Sequence, residues 1–76
     1  MTEVAEGVTA DPEVMHGKPV IEGTRVPVEV VLDTLAEGVS IEEVCEEFEL
    51  DRSEVLTAVR YAADRISDEE YRTLGA

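Results

Sequence analysis

Gly17-Lys18-Pro19-Val20-Ile21-Glu22-Gly23-Thr24-Arg25-Val26-Pro27-Val28 is the stretch that decides the fold. Its first half alternates as a strand does. Pro19 and Pro27 carry no backbone donor, so neither fits inside a central strand and both mark strand ends. Glu22-Gly23 lies between the apolar pieces 19–21 and 25–27, and glycine supplies the positive φ that a tight reversal needs. A small β-hairpin is expected there, with the Thr24 hydroxyl closing the reversal. A regulator is a better expectation than a catalyst for such a segment when it runs straight into helical patterns.

Pro27 suits the first position of a helix reaching Glu37, on which Val28, Val31, Leu32 and Leu35 fall at i, i+3, i+4 and i+7. Gly38 ends it. Ser40-Ile41-Glu42-Glu43 is a capping box for a second helix, whose Ile41, Val44, Cys45 and Phe48 form one apolar stripe backed by acid. Glu49, Leu50 and Asp51 make a short link of helix-turn-helix length, with Leu50 as the plug of the turn. Asp51 and Glu54 cap a third helix, and Val55, Leu56, Val59, Ala62, Ala63 and Ile66 are expected to share its core face.

Outward from this centre the pattern weakens. Residues 1–16 form an N-terminal arm in which Val4 and Val8 offer a short edge strand before the Asp11-Pro12 turn. Residues 17–66 make the hairpin and helix-turn-helix domain, and residues 67–76 a tail. Ser67 with Glu70 would cap a short last helical segment, although Tyr71 and Leu74 alone give it little to hold on to. The expected fold is mainly α, with an N-terminal β-hairpin, a trihelical, homeodomain-like helix-turn-helix core and a short C-terminal helical segment.

The chain has 76 residues, nineteen acidic against six basic, for a net charge of −13. A domain this small buries only about 60% of its unfolded surface, so association with a partner or a second copy is expected. Val20, Val26 and Val30 lie beyond what one small core needs, which suggests a homodimer with hairpin strands paired across the two-fold axis. Dense carboxylates with Lys18 as the only lysine fit a halophilic host, where screening over about 3 Å makes them tolerable. They fit equally well an acidic face for a basic partner. Cys45 and His16 are too isolated for a disulfide or a metal site; the first suits a buried apolar position and the second a turn. No cofactor is implied, and with no run near ~20 apolar residues and no basic start at Met1-Thr2-Glu3-Val4, a cytoplasmic protein away from membranes is expected.

In the DNA-binding use of a helix-turn-helix, the second helix of the motif enters the major groove with its N-terminal residues toward the bases. That role would fall to Arg52, Ser53 and Thr57, followed by Arg60 and Tyr61. Guanidinium and hydroxyl groups suit base edges and phosphates. An ordinary solvated helix face accounts for the same residues equally well. Against DNA stand six carboxylates and no base between Ile41 and Asp51, a surface that repels phosphate. Glu42, Glu43, Glu46 and Glu47 are instead candidates for binding a basic partner. No convergent acid–base set, phosphate loop or nucleophile motif supports catalysis.

Three blocks, G-K-P-V-I-E-G-T-R-V-P-V at Gly17 to Val28, A-E-G-V-S-I-E-E-V at Ala36 to Val44 and L-D-R-S-E-V-L-T-A-V-R-Y-A at Leu50 to Ala62, resemble the family known as domain of unknown function 433. The resemblance spans residues 11–63. It marks Gly17, Lys18, Pro19, Gly23, Thr24, Arg25 and Pro27 as motif positions and leaves their roles open; Arg25 is expected to hold the hairpin to the helix through backbone carbonyls, the alternative being a phosphate or acidic-partner contact made with Lys18. It implies an antitoxin of a toxin–antitoxin pair, neutralising a small PIN-like ribonuclease toxin, with binding of its own operator DNA as a further expectation. The alternatives are a protein-interaction module without nucleic acid and a stand-alone transcriptional regulator.

Overall fold

Three helices pack beside a small antiparallel sheet at the N-terminal end of the chain. A computed structural model describes the backbone of residues 2–75 and the side chains of residues 2–68. The sheet has β1 (Thr2–Ala5), β2 (Val8–Ala10) and β3 (Val20–Ile21) in that order. β1 pairs Thr2 with Ala10 and Glu3 with Thr9, shifts register before Ala5, and turns into β2 through Glu6 and Gly7. β3 then pairs Ile21 with Val8 and Val20 with Thr9. Val8 therefore lies in the central strand rather than at an edge, because β1 and β3 cover it from both sides and the core removes it fully from solvent.

The reversal at Glu22-Gly23 is present, with Gly23 at φ +79°. The Thr24 hydroxyl donates to the Ile21 carbonyl at 2.7 Å and accepts from the Val26 N–H at 3.0 Å. The returning arm is not a strand. It makes one bridge, Val20 with Pro27, because α1 (Val28–Ala36) begins at once and Pro27 serves as its N-cap, one position before the place the sequence suggests. Arg25 is exposed and has no hydrogen bond or ion pair among the described residues, so the tie expected of it between hairpin and helix is made instead by the backbone, where the Val28 N–H donates to the Pro19 carbonyl at 3.0 Å.

Gly38, at φ +93°, ends α1 as expected. α2 (Ile41–Phe48) starts on Ser40, whose oxygen accepts the Glu43 N–H at 3.2 Å; the Ser40 hydroxyl in turn donates to the Glu43 carboxylate, so that carboxylate does not reach the Ser40 backbone. Glu49 closes α2 in the left-handed conformation at φ 55°, and Leu50, 6% exposed, plugs the turn. α3 (Arg52–Gly75) opens on a fully reciprocal box: the Glu54 N–H donates to Asp51 and the Asp51 N–H to Glu54, each at 2.9 Å.

Two expectations for α3 fail. The helix runs through Ser67 without a break, so no separate segment starts there; the side chains of Glu70, Tyr71 and Leu74 lie outside the described residues. The core face is also narrower than the six-residue set. Val55 and Ala58 are fully buried, with Tyr61 and Ala62 half-buried behind them, whereas Leu56, Val59, Ala63 and Ile66 face solvent. At 24 residues α3 far outruns the 9 of α1 and the 8 of α2, and residues 63–68 are all exposed.

The core gathers Val8 and Ile21 from the sheet, Val28 and Val31 from α1, Val44 from α2, Leu50, and Val55 and Ala58 from α3. Val20 is 3% exposed, while Val26 and Val30 are half-buried within one chain. The architecture is helix-rich with a small sheet.

Candidate partner-binding surfaces

Burying Val44 turns the opposite side of α2 to solvent, and there the sequence places Glu42, Glu43, Glu46 and Glu47, followed by Glu49 in the turn. All five are exposed. Arg52 at the start of α3 approaches this surface, its Nη1 3.7 Å from the Glu42 Oε1, and it is the one cation paired with it among the described residues. Such an open pair contributes little, so the face keeps nearly its whole negative charge. Half-buried Cys45 packs against the core beneath it.

The five candidate DNA contacts do not form one free surface. Arg52, Ser53 and Arg60 are exposed, while Thr57 and Tyr61 are half-buried. The Ser53 hydroxyl donates to the Asp51 carboxylate at 2.6 Å and the Arg60 guanidinium reaches Asp64 at 3.5 Å. The Ser53 hydroxyl and then the Glu54 N–H hold the Asp51 carboxyl below its ordinary range by stabilising its ionised form. Thr57 donates to the Ser53 carbonyl at 2.9 Å and lies against the β1–β2 turn. A Cβ built on Gly7 would come within 2.8 Å of the Thr57 Cγ2, and Gly7 has φ +77°, so only glycine fits this close approach. Sequence patterning missed this contact, since nothing local to either residue signals it.

The hairpin motif meets α1 and α3 at a groove of about 310 Å³. Pro19, Val28, Leu32, Tyr61, Ala62 and Ile66 give it apolar walls, with Lys18, Glu29 and Arg65 at its rim. Lys18 forms an ion pair with Glu29, and Arg65 stacks over the Tyr61 ring at 4.8 Å from its centre. Gly17, at φ +82°, closes the turn of 3-10 helix Met15–Gly17, where His16 is the turn residue its position suggests. Among the described residues no group of three or more His, Cys, Asp or Glu side chains could hold a metal ion, and no helix is long and apolar enough to cross a membrane.

This arrangement sits within a known sequence family. The profile described as "Protein of unknown function (DUF433)" matches residues 8–62, from the central strand to the middle of α3. The chain belongs to the DUF433 family. The match takes in the whole of the hairpin motif, α1, α2 and the turn between α2 and α3. A curated relative from Sinorhizobium fredii (strain NBRC 101917 / NGR234), "Uncharacterized protein y4eO", is 41% identical over 58 residues. Those residues are 75% of this chain and 26% of the relative, so the chain spans about a quarter of the protein it matches. No solved structure gives a significant match.

Proposed function

We propose that this DUF433 chain is a non-catalytic binding module of the antitoxin kind, which neutralises a small basic, PIN-like ribonuclease toxin in the cytoplasm. The acidic face of α2 carries the proposal: five exposed glutamates between residues 42 and 49, with Arg52 alone paired to them among the described residues. An enzyme that handles RNA presents cationic groups to phosphate, and a rigid helix studded with carboxylates offers those groups a competing surface. A toxin is thereby steered to the antitoxin and its nucleic-acid site occupied.

Operator binding through α3 is the second reading, favoured by the three-residue link and by Arg52 and Ser53 at the exposed start of that helix. It competes with the repulsion between phosphate and α2 next to it. A plain protein-interaction module would share the α2 surface and lack both toxin and DNA. Capture of the native partner at native salt decides the partner, followed by binding kinetics on separate variants. Reversal of Glu42, Glu43, Glu46 and Glu47 to lysine should slow association with a basic toxin, while Arg52→Ala and Arg60→Ala leave it intact. If those two alanine variants instead cost about 1–3 kcal/mol in binding to operator DNA and the lysine variant keeps its partner, the DNA reading replaces the toxin reading.

A further inference from the structure

The exposed side of α3 carries Leu56, Val59, Ala63 and Ile66 at steps of three, four and three residues. This is the alternation of an a/d seam, which keeps one stripe on one line of a helix over two heptads. Leu56, Val59 and Ile66 are 44%, 40% and 58% exposed. Core packing does not explain them, because Val55 and Ala58 already provide the buried side of this helix.

We infer that the strip is covered by the same strip of a second copy, with the two α3 helices antiparallel about a two-fold axis. A two-fold contact must be self-complementary. Here a single register sets Leu56 against Ile66 and Val59 against Ala63 in both directions, pairing large with large and small with small. In sequence the same spacing runs back to Arg52 and forward to Glu70, so opposite charges bound the strip and reversing one copy brings unlike ends together.

Net charge opposes self-association in general but opposes it least at this strip. Two copies at −13 each repel over most of their surfaces, and the four strip positions hold no carboxylate. Contact there costs the least repulsion. A basic partner gains nothing from an uncharged strip and is drawn to α2 instead. Two heptads place the contact at the small end of specific interfaces, so association strengthens with concentration and with salt that screens the remaining repulsion. The inference does not rest on the antitoxin reading, since it concerns two copies of this chain alone.

Cysteine pairing tests both the contact and its register. In a chain carrying Cys45→Ala, Val59→Cys and Ala63→Cys are made as separate variants, then mildly oxidised alone and mixed, in dilute and molar salt. The mixture should give a linked heterodimer and each variant alone much less, because a disulfide needs Cα atoms within roughly 7 Å. Sedimentation of the unsubstituted chain should show a dimer that Val59→Lys shifts toward monomer, with an unchanged circular dichroism melt at low concentration as the folding control. A chain that stays monomeric at near-millimolar concentration in both salts overturns the inference and leaves the strip to a different partner. So does strong self-linking of Leu56→Cys alone, which marks a parallel seam. A dimer indifferent to Val59→Lys places the contact elsewhere, such as the open edge of β1.

Discussion

α2 and α3 are built alike at their starts and differ in what they turn outward. Each follows a capping residue, Ser40 or Asp51, and each has a glutamate three residues later bonded back to its cap. Beyond the first turn α2 faces solvent with carboxylates, whereas α3 offers a strip of Leu56, Val59, Ala63 and Ile66 with charges of both signs beside it. Charge acts at a distance and governs how partners meet; apolar area acts on contact and governs how long they stay. On the two proposals above, a small domain keeps steering and adhesion on adjacent helices with little interference between them.

The sharpest way to break this contrast lies within α3, at two neighbouring residues. Val55→Ala should cost about 2 kcal/mol of folding stability, since it opens a cavity where the side chain is wholly buried. Leu56→Ala next to it should change monomer stability by less than about 0.5 kcal/mol. Denaturant titration of both at low concentration checks this, and equal losses would return Leu56 to the core.

Salt sharpens the α2 side. Molar salt should raise the thermal midpoint by about 5 °C, because screening relieves self-repulsion at a net charge of −13. The lysine variant of Glu42, Glu43, Glu46 and Glu47 should respond much less. A flat midpoint for the unsubstituted chain would mean that these carboxylates do not strain the monomer and leave partner binding as their whole effect.

The caps give smaller effects. Ser40→Ala should cost about 1 kcal/mol by freeing the Glu43 N–H, with the loss read from chemical denaturation. At α3, the bonds to Asp51 lower its carboxyl pKa in the folded chain. Stability from this group is therefore fully present above the unfolded value and lost as pH falls through the folded one. Acid titration of Asp51→Asn should lack that component, whereas Ser40→Ala should retain it.

Local chemistry made much of the fold legible in the sequence. Gly38, Ser40, Asp51 and Leu50 act through neighbours within a few residues, and Thr24 closes its own turn, so short patterns suffice to place them. The sheet was harder. Thr9 is buried only because β3 arrives to pair with it, and no local signal gives that register. Periodicity misjudged α3 because two stripes overlap on one helix: Val55 to Ala62 faces the core, Leu56 to Ile66 faces out, and spacing alone merges them. Of the candidate surfaces, the α2 glutamates lie exposed on one side of their helix, as the acidic run implied. The apolar strip needed the structure, since its exposure depends on which face of α3 Val55 and Ala58 turn to the core.

The seat of the Gly7 turn on Thr57 sets the order in which the chain can finish itself. Synthesis delivers the β1–β2 hairpin well before the helix beneath it. An isolated hairpin is marginal in water, and the loop between these two contacts spans most of the sequence. On the ribosome the β1–β2 turn therefore lacks its seat until the start of α3 emerges, even once β3 has paired with Val8 and Thr9. Any chain cut short before that helix would leave the β1–β2 turn without the contact that seats it.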